Sequence, residues 1–497
     1  TIINPIGVGN GRFLRVFGDV ISVKDFGATG NGSTPDHVAI QAAIDAVELA
    51  NGGVVHFPAG SYLTSATLTI DTAGVVLVGM GGHLGQTLIT GTHTTGPVIS
   101  IKSRSCGARG IKIDSNTTRY AASVTDGHGI HYEGPDVAGT SMSRGVLYDL
   151  AINRQPLDGV HIAGGFEFGS IELVTVSDSK RHGFVLDDGT RSSRTNKDLA
   201  PFVFTLRNCR ALECGGNALL LGHTSQTNAI QNGVLECFEA LGCCWSSSTR
   251  ESLFQIESYC NGVVFIAPDV EDQQYAAITT GSTGSTRTGN ATPAKGFNIL
   301  SSRTKIINPY FSSLLSSFEC SGGDISIEHP RIFAGAYAVN QANAFIFTNA
   351  VVGLYFKGVT ANTAGATNLI KNQSDGAHIF IDSKQYRGNA YSLGDFEIQS
   401  DGVERTIASG TLTISEDFVF IKGEGDTTDS STVLRLASGV NGFDGLRVTI
   451  VNRNAYTITL VHSTSDMLFT AGTNKALAQY QSVTMVYSVT GAVWIES

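Results

Sequence analysis

Two glutamates, Glu213 in "LRNCRALECGGNALLLG" and Glu239 in "VLECFEALGCCWSSS", each stand three residues before a glycine in segments of similar texture. Hydrolysis of a glycosidic bond generally uses two carboxyl groups, one protonated as general acid and one ionised as nucleophile or water-activating base. If the segments are neighbouring coils of one stack, the two side chains stand one strand spacing apart, about 4.8 Å. Like charges at that range push one pKa upward, which makes an acid and a base from two identical residues. The other reading of the same residues is surface glutamates paired with Arg210 and Lys180.

Asp187 and Asp188 in "GFVLDDG" form a second candidate pair, with Asp178 on the same coil, although adjacent aspartates also serve turns. Asp269, Glu271 and Asp272 in "APDVEDQQY" are expected to solvate the base of a loop. Trp245, six residues after Glu239, could stack on a sugar ring. His182 and His223 lie near the same patch. Lys180, Arg210, His182 and Tyr259 complete the expected substrate contacts. The rival chemistry is β-elimination beside a uronate carboxylate, which needs a base and a cation. Lys180, Arg181, His182, Arg210 and Tyr259 supply candidates for it. No calcium-binding loop and no paired Cys-x-x-Cys spacing is present, so neither metal nor other cofactor is expected.

These residues need a scaffold that repeats. "DLAINRQPLDGVHIAGG", "LVTVSDSKRHGFVLDDG", "LRNCRALECGGNALLLG", "VLECFEALGCCWSSS" and "LFQIESYCNGVVFIAP" align on Gly159, Gly183, Gly216, Gly242 and Gly262, at spacings of 24, 33, 26 and 20 residues. Irregular repeats of this length, each with short β-rich runs, predict the coils of a parallel β-helix, whose inner face is buried only by stacking. In that alignment Pro156, Lys180, Glu213, Glu239 and Tyr259 form an outward row, and Leu157, Arg181, Cys214, Ala240 and Cys260 an inward one. Polar inserts at 189–201 and 279–296 read as projecting loops.

Near the start, Thr34 is expected to cap a helix with Pro35 at its first position. Ile40, Ile44 and Val47 share one face before Asn51-Gly52-Gly53 ends it. Such a helix suits the open end of a strand stack. Beyond residue 400, "LRVTIVNRN", "YTITLVHS" and "SVTMVYSVTGAVWIES" alternate as half-buried antiparallel strands do, predicting a β-sandwich for trimerisation or glycan binding. The expected organisation is a neck remnant over 1–20, the capped start of the helix over 21–120, the main β-helix over 121–399 and the sandwich over 400–497.

Composition agrees with this and narrows the partners. Charged residues are 15% of the 497, below the roughly 25% of ordinary domains, and 58 residues are glycine. Net charge is −10 with no basic run, which argues against nucleic acid. No apolar run approaches a membrane span or secretion signal, so a soluble chain without membrane insertion is expected. The eight cysteines are expected as buried free thiols of a chain folded in a reducing cytoplasm.

"VKDFGATGNGSTPDHVAIQAAIDA" followed by "GGVVHFPAGSYL" resembles the start of the pectate-lyase-like right-handed parallel β-helix family, in the branch found in bacteriophage tailspike depolymerases. Thr34-Pro35-Asp36 replaces the family's usual Asp-Asp-Thr. The resemblance implies an all-β protein: a right-handed parallel β-helix with an N-terminal capping helix and a C-terminal β-sandwich. It further implies a homotrimer in the virion that cuts a bacterial surface polysaccharide, whether capsule, exopolysaccharide or lipopolysaccharide, at the host cell surface. Folding in the host cytoplasm, and attachment to the phage tail or baseplate through a segment lost before Thr1, follow from the same likeness. A glycan-binding adhesin without catalysis is the remaining alternative.

Overall fold

The computed structural model describes residues 20–133, 144–187, 201–222, 230–244, 252–271 and 295–333 except 313, 315 and 316. It also describes 448–452, 456–488 and 493–497, and further strands by their backbone. Two compact units result, Thr1–Ala390 and Tyr391–Ser497.

The first unit is a parallel β-helix. Each coil visits three sheets in turn. Sheet A begins with Val20–Ser22, Gly53–His56 and Val75–Val78, sheet B with Asn31–Pro35, Gly60–Thr64 and Thr87–Gly91. Sheet C holds Leu68–Ile70, Ile99–Ile101, Ile130–Tyr132, Val160–Ala163, Phe184–Asp187, Leu219–Leu221 and Ser252–Ile256. Strands are short because each face of the prism holds only a few residues, and the core comes from stacking identical positions. In sheet C, Ile130, Val160, Phe184, Leu219, Phe254, Phe297 and Phe318 are in register and all fully buried. The rings of Phe254 and Phe297 stack with centroids 4.6 Å apart.

The corners are made by single residues in the left-handed region. Between sheets A and B these are Gly110, Asp149, Leu173, Asn208, Cys237, Ala267, Asn308 and His329; at the end of sheet B they are Arg154, Asp178, Glu213 and Gly242. Each non-glycine residue held there costs about 1–2 kcal/mol, which the ladders on either side of the corner offset.

This register corrects the glycine alignment. Gly159 and Gly183 do occupy one row, just before sheet C, but Ala218 takes that place on the next coil. Gly242 sits at the end of sheet B and Gly262 before sheet A, both at positive φ. Glycine recurs because different corners need it for different reasons. At Gly242 and Gly262 the φ of 60° and 68° demands it, whereas at Gly159 a Cβ would collide with the Val176 side chain. The predicted rows slip accordingly.

Helix α1, His37–Leu49, begins two residues later than predicted, because Thr34 and Pro35 belong to the sheet B strand Asn31–Pro35. The Asp36 carboxylate does not cap the helix. It turns back to accept the backbone N–H groups of Thr29 and Gly30. Ile40, Ala43, Ile44 and Val47 are buried against the first coils. Leu68–Ile70 is the edge strand of sheet C, and Gln41 pairs with its Thr69 as a strand would, accepting from N–H and donating to C=O at 3.0 Å each. Glu48 accepts the next two N–H groups, of Asp71 and Thr72. The helix thus satisfies an edge that would otherwise template pairing with another chain.

In the second unit a core of Val448, Ile450, Ile458, Leu460, Met467, Met485 and Trp494 is buried. Its pairing is mixed, not wholly antiparallel: Arg447–Asn452 pairs antiparallel with Ser482–Ser488 but parallel with Phe418–Lys422. No helix among the described residues is long and apolar enough to cross a membrane. All eight cysteines are free thiols, and all but Cys237 are buried.

Candidate active site

The turn from sheet B into sheet C places His128, Asp158, His182 and Asn217 in one row on successive coils, each two residues before the first inward residue of its sheet C strand. Glycine follows the first three, and a Cβ at Gly129 would meet Ile152 and the Gly159 carbonyl. The turn is therefore tight, and the polar side chain before it is driven into the stack. Asp158 is wholly buried and His128 nearly so. Outward on the adjoining strands, His131 and His161 are in register, and their rings stack with centroids 5.0 Å apart.

Bonds among these groups are dense. His128 Nε2 lies 3.0 Å from Asp126 Oδ1 and 3.3 Å from His161 Nδ1. Its Nδ1 lies 3.1 Å from Asp158 Oδ2, outside hydrogen-bonding geometry. His161 Nε2 meets Asp187 Oδ2 at 3.1 Å. The half-exposed guanidinium of Arg181 clasps both oxygens of Asp158, with Nε at 2.7 Å from Oδ1. The His182 N–H donates to Asp158, and His182 Nδ1 accepts the Asn217 N–H at 2.9 Å.

Electrostatics divide the imidazoles. Burial, with the neighbouring rings of His161 and His128 adding to it, pushes His131 down to about 3. Burial alone dominates at His182, which falls to about 4. Burial also opposes a charge on His128, but the carboxylates of Asp126 and Asp158 outweigh it and its pKa is raised. Burial would raise Asp158, and Arg181 and His128 reverse that, holding it well below the usual carboxylate range. His128 thus meets the rings of His131 and His161 and the carboxylates of Asp126 and Asp158 in one polar cluster, an arrangement suited to proton transfer.

Of the residues expected from sequence, Asp187, His182 and Arg181 fall in this cluster. Glu213 and Glu239 do not form the expected pair. Glu239 is in register with Arg210 on one side and Asp269 on the other, and Arg210 binds it in bidentate fashion at 2.6 and 2.9 Å. Glu213 is a corner residue at φ 53°, and its N–H bonds the Leu241 carbonyl. Asp269 and Glu271 lie on a sheet B strand, Asp269–Glu271, not in a loop. Burial, with Glu271 and Glu239 nearby, raises Asp269 to about 6, and its Oδ1 is buried without a hydrogen-bond partner. Lys180 sits with its ammonium 5.0 Å from the Tyr120 ring centre and donates to the Ala121 carbonyl, while Tyr259 is exposed. Asp178 is buried beside Asp114, Asn153, Arg154 and Ser177 around a cavity of about 240 Å³. Asp188, Trp245, His223 and Asp272 lie outside the described residues, as do most of the two polar inserts, although Lys295–Ile299 is strand.

Sequence reasoning missed Asp126, His128, His131, Asp158 and His161. Part of the signal is present: Asp158 and His182 stand immediately before two of the aligned glycines, Gly159 and Gly183, one residue from the expected inward row. "TDGHGIHYEG", which holds Asp126, His128 and His131, precedes the first of the aligned segments.

Residues 20–125 match the family described as rhamnogalacturonase A/epimerase, pectate lyase-like. Mannuronan C5-epimerase AlgE4 of Azotobacter vinelandii is 32% identical over 188 residues, 33% of this chain and 32% of that protein. Alginate lyase 7 of the same organism is 46% identical over 74 residues, 14% of this chain and 8% of that one. The aligned stretches span about a third or less of these curated relatives. Among solved structures, the AlgE4 A-module superposes with a TM-score of 0.55 at 20% identity, covering 72% of this chain and 95% of the module. The enzymatically active domain of bacteriophage CBA120 tailspike protein 2 gives 0.46 at 12% identity, covering 95% and 60%. At that identity the AlgE4 superposition establishes architecture alone: a parallel β-helix that opens, over residues 20–125, with a pectate lyase-like sequence.

Proposed function

We propose that the chain is a polysaccharide-acting enzyme that removes the proton beside the carboxylate of a uronate unit, the step common to polysaccharide lyases and C5-epimerases. The observation that carries this reading is the His161–Asp187 dyad, 3.1 Å apart on the outer face of sheet C, within the cluster that holds Arg181. Asp187 fixes the ring through Nε2, as a carboxylate orients a general base, and Nδ1, which faces His128 Nε2 at 3.3 Å, is the nitrogen that would take the substrate proton in place of that contact. Arg181, half-exposed, offers its outer N–H groups to the substrate carboxylate. The electron pair of the broken C–H bond passes to the carboxylate. It then expels the glycosidic oxygen in a lyase, or takes a proton on the opposite face in an epimerase. The epimerase and lyase relatives agree with either outcome. Incubation with uronate polymers in deuterated water tests the reading. Ultraviolet absorbance of an unsaturated uronate marks a lyase, and C5 deuterium in an intact polymer marks an epimerase. Neither signal, on polymers the protein demonstrably binds, would sink it and leave a hydrolase or an adhesin.

A second reading rests on Asp269. Raised to about 6 and in register with Glu239, it stands one strand spacing, about 4.8 Å, from a second carboxyl, the pairing an endo-acting hydrolase needs. On this reading the chain is the cutting body of a phage tailspike, a homotrimer acting on a bacterial surface polysaccharide, as the resemblance of its opening motif implies. Release of saturated oligosaccharides, abolished in Glu239→Gln, would favour it. A monomer by light scattering would remove the trimeric tailspike.

A further inference from the structure

We propose that Asp126, His128 and His131 form a binding site for a zinc-like divalent cation at the edge of the catalytic cluster. The inference rests on the uronate reading only for the site's use, since the donor geometry stands without it. One donor atom from each residue lies within 4.8 Å of the other two. Asp126 faces both rings, with Oδ1 at 3.0 Å from His128 Nε2 and Oδ2 at 3.8 Å from His131 Nδ1. Bonds of about 2.0–2.1 Å to tetrahedral zinc set ligand atoms roughly 3.3 Å apart, so small side-chain rotations bring the three donors to a common ion.

A second observation points the same way. Metal-ligating histidines are normally backed at their other nitrogen by a carboxylate. His128, whose side chain is 2% exposed, has its Nδ1 facing Asp158 at 3.1 Å without a hydrogen bond, and Arg181 anchors that carboxylate from behind. Those are the outer-shell parts of a carboxylate–histidine–metal triad. Charge supplies a third reason. Asp126, Asp158 and Asp187 gather in the cluster, where Nε and one terminal nitrogen of Arg181 are taken up by Asp158. A site meant for an anionic sugar is better served with a further cation in it. Three imidazole and carboxylate ligands leave a coordination position free, as in catalytic zinc sites. His161 Nδ1, 3.3 Å from His128 Nε2, faces that side. A uronate carboxylate held there would lie beside the proposed base.

Isothermal titration of the chelator-treated full chain with zinc, followed by metal analysis after gel filtration, tests the site. The expected result is about one zinc per chain, with affinity lowered tenfold or more in Asp126→Asn and in His131→Gln. Asp126 is half-exposed, so its variant tests the site without disturbing the core. Absence of stoichiometric zinc, calcium bound in its place, or zinc binding unchanged in both variants would overturn the inference. Zinc bound at these residues in a chain inert toward every uronate polymer would sink the functional reading and leave the site. Full lyase or epimerase activity in a chain that takes up no zinc would do the reverse.

Discussion

His161 makes the sharpest demand at the scale of single residues. If it is the base, His161→Gln lowers kcat by about 10²–10⁴-fold while circular dichroism is unchanged, and Glu239→Gln leaves the proton-abstraction activity intact. The converse pattern selects the hydrolase. Asp269 carries a pH dependence of its own. Its folded pKa of about 6 lies above the ordinary 3.8, so between those values the folded chain binds more protons than the unfolded one. Its contribution to stability is therefore present below pH 4 and is lost as pH rises through 6. Thermal melts across this range should show Asp269→Asn losing less stability on that rise than the parent. Cysteine chemistry is equally specific. Burial pushes the thiols of Cys214, Cys260 and Cys320 upward, and only Cys237 is exposed. A thiol reagent should titrate about one group in the folded protein and all eight after denaturation; several reactive thiols in the folded state would contradict the packing described.

Among the elements, helix α1 is the one whose loss matters beyond its own length. Ile44 on its inner face is fully buried, and truncation to Ala leaves a cavity costing about 2–5 kcal/mol. Gln41→Ala removes both side-chain bonds to Thr69 and should cost only about 1 kcal/mol, yet it bares the edge of sheet C. Urea denaturation should rank the two variants in that order, and light scattering of Gln41→Ala should show association that Ile44→Ala, folded in the absence of urea, does not. Equal solubility of both would mean that the edge is protected in another way. The same helix shows how local signals mislead by a small margin. Thr34 and Pro35 carry start signals, but the strand they extend wins, since Asp36 is worth more bonded to Thr29 and Gly30 than as a cap.

Across the whole molecule, the repeat was legible and its phase was not. β-rich runs punctuated by glycine, and the motif from residue 21 to 63, were enough to specify a parallel β-helix, because a coil that buries its inner face by stacking must show apolar residues at each repeat. The phase depends on which corner each glycine serves. Gly242 answers a positive φ and Gly159 a steric limit, and a one-letter sequence does not distinguish the two. Three residues of slip separated Glu213 from the row of Glu239 and put Arg210 in its place. Of the cluster, Asp187 and His182 were visible as chemistry near aligned glycines. His128, Asp158 and His161, from segments up to 33 residues apart, are brought within bonding distance only by the stacking of their coils. The sequence by itself determined the architecture, which follows from periodic burial. Tertiary structure decided which charged side chains meet, because contact between coils turns on register, and register is set by corner geometry and core packing rather than by the polar residues themselves.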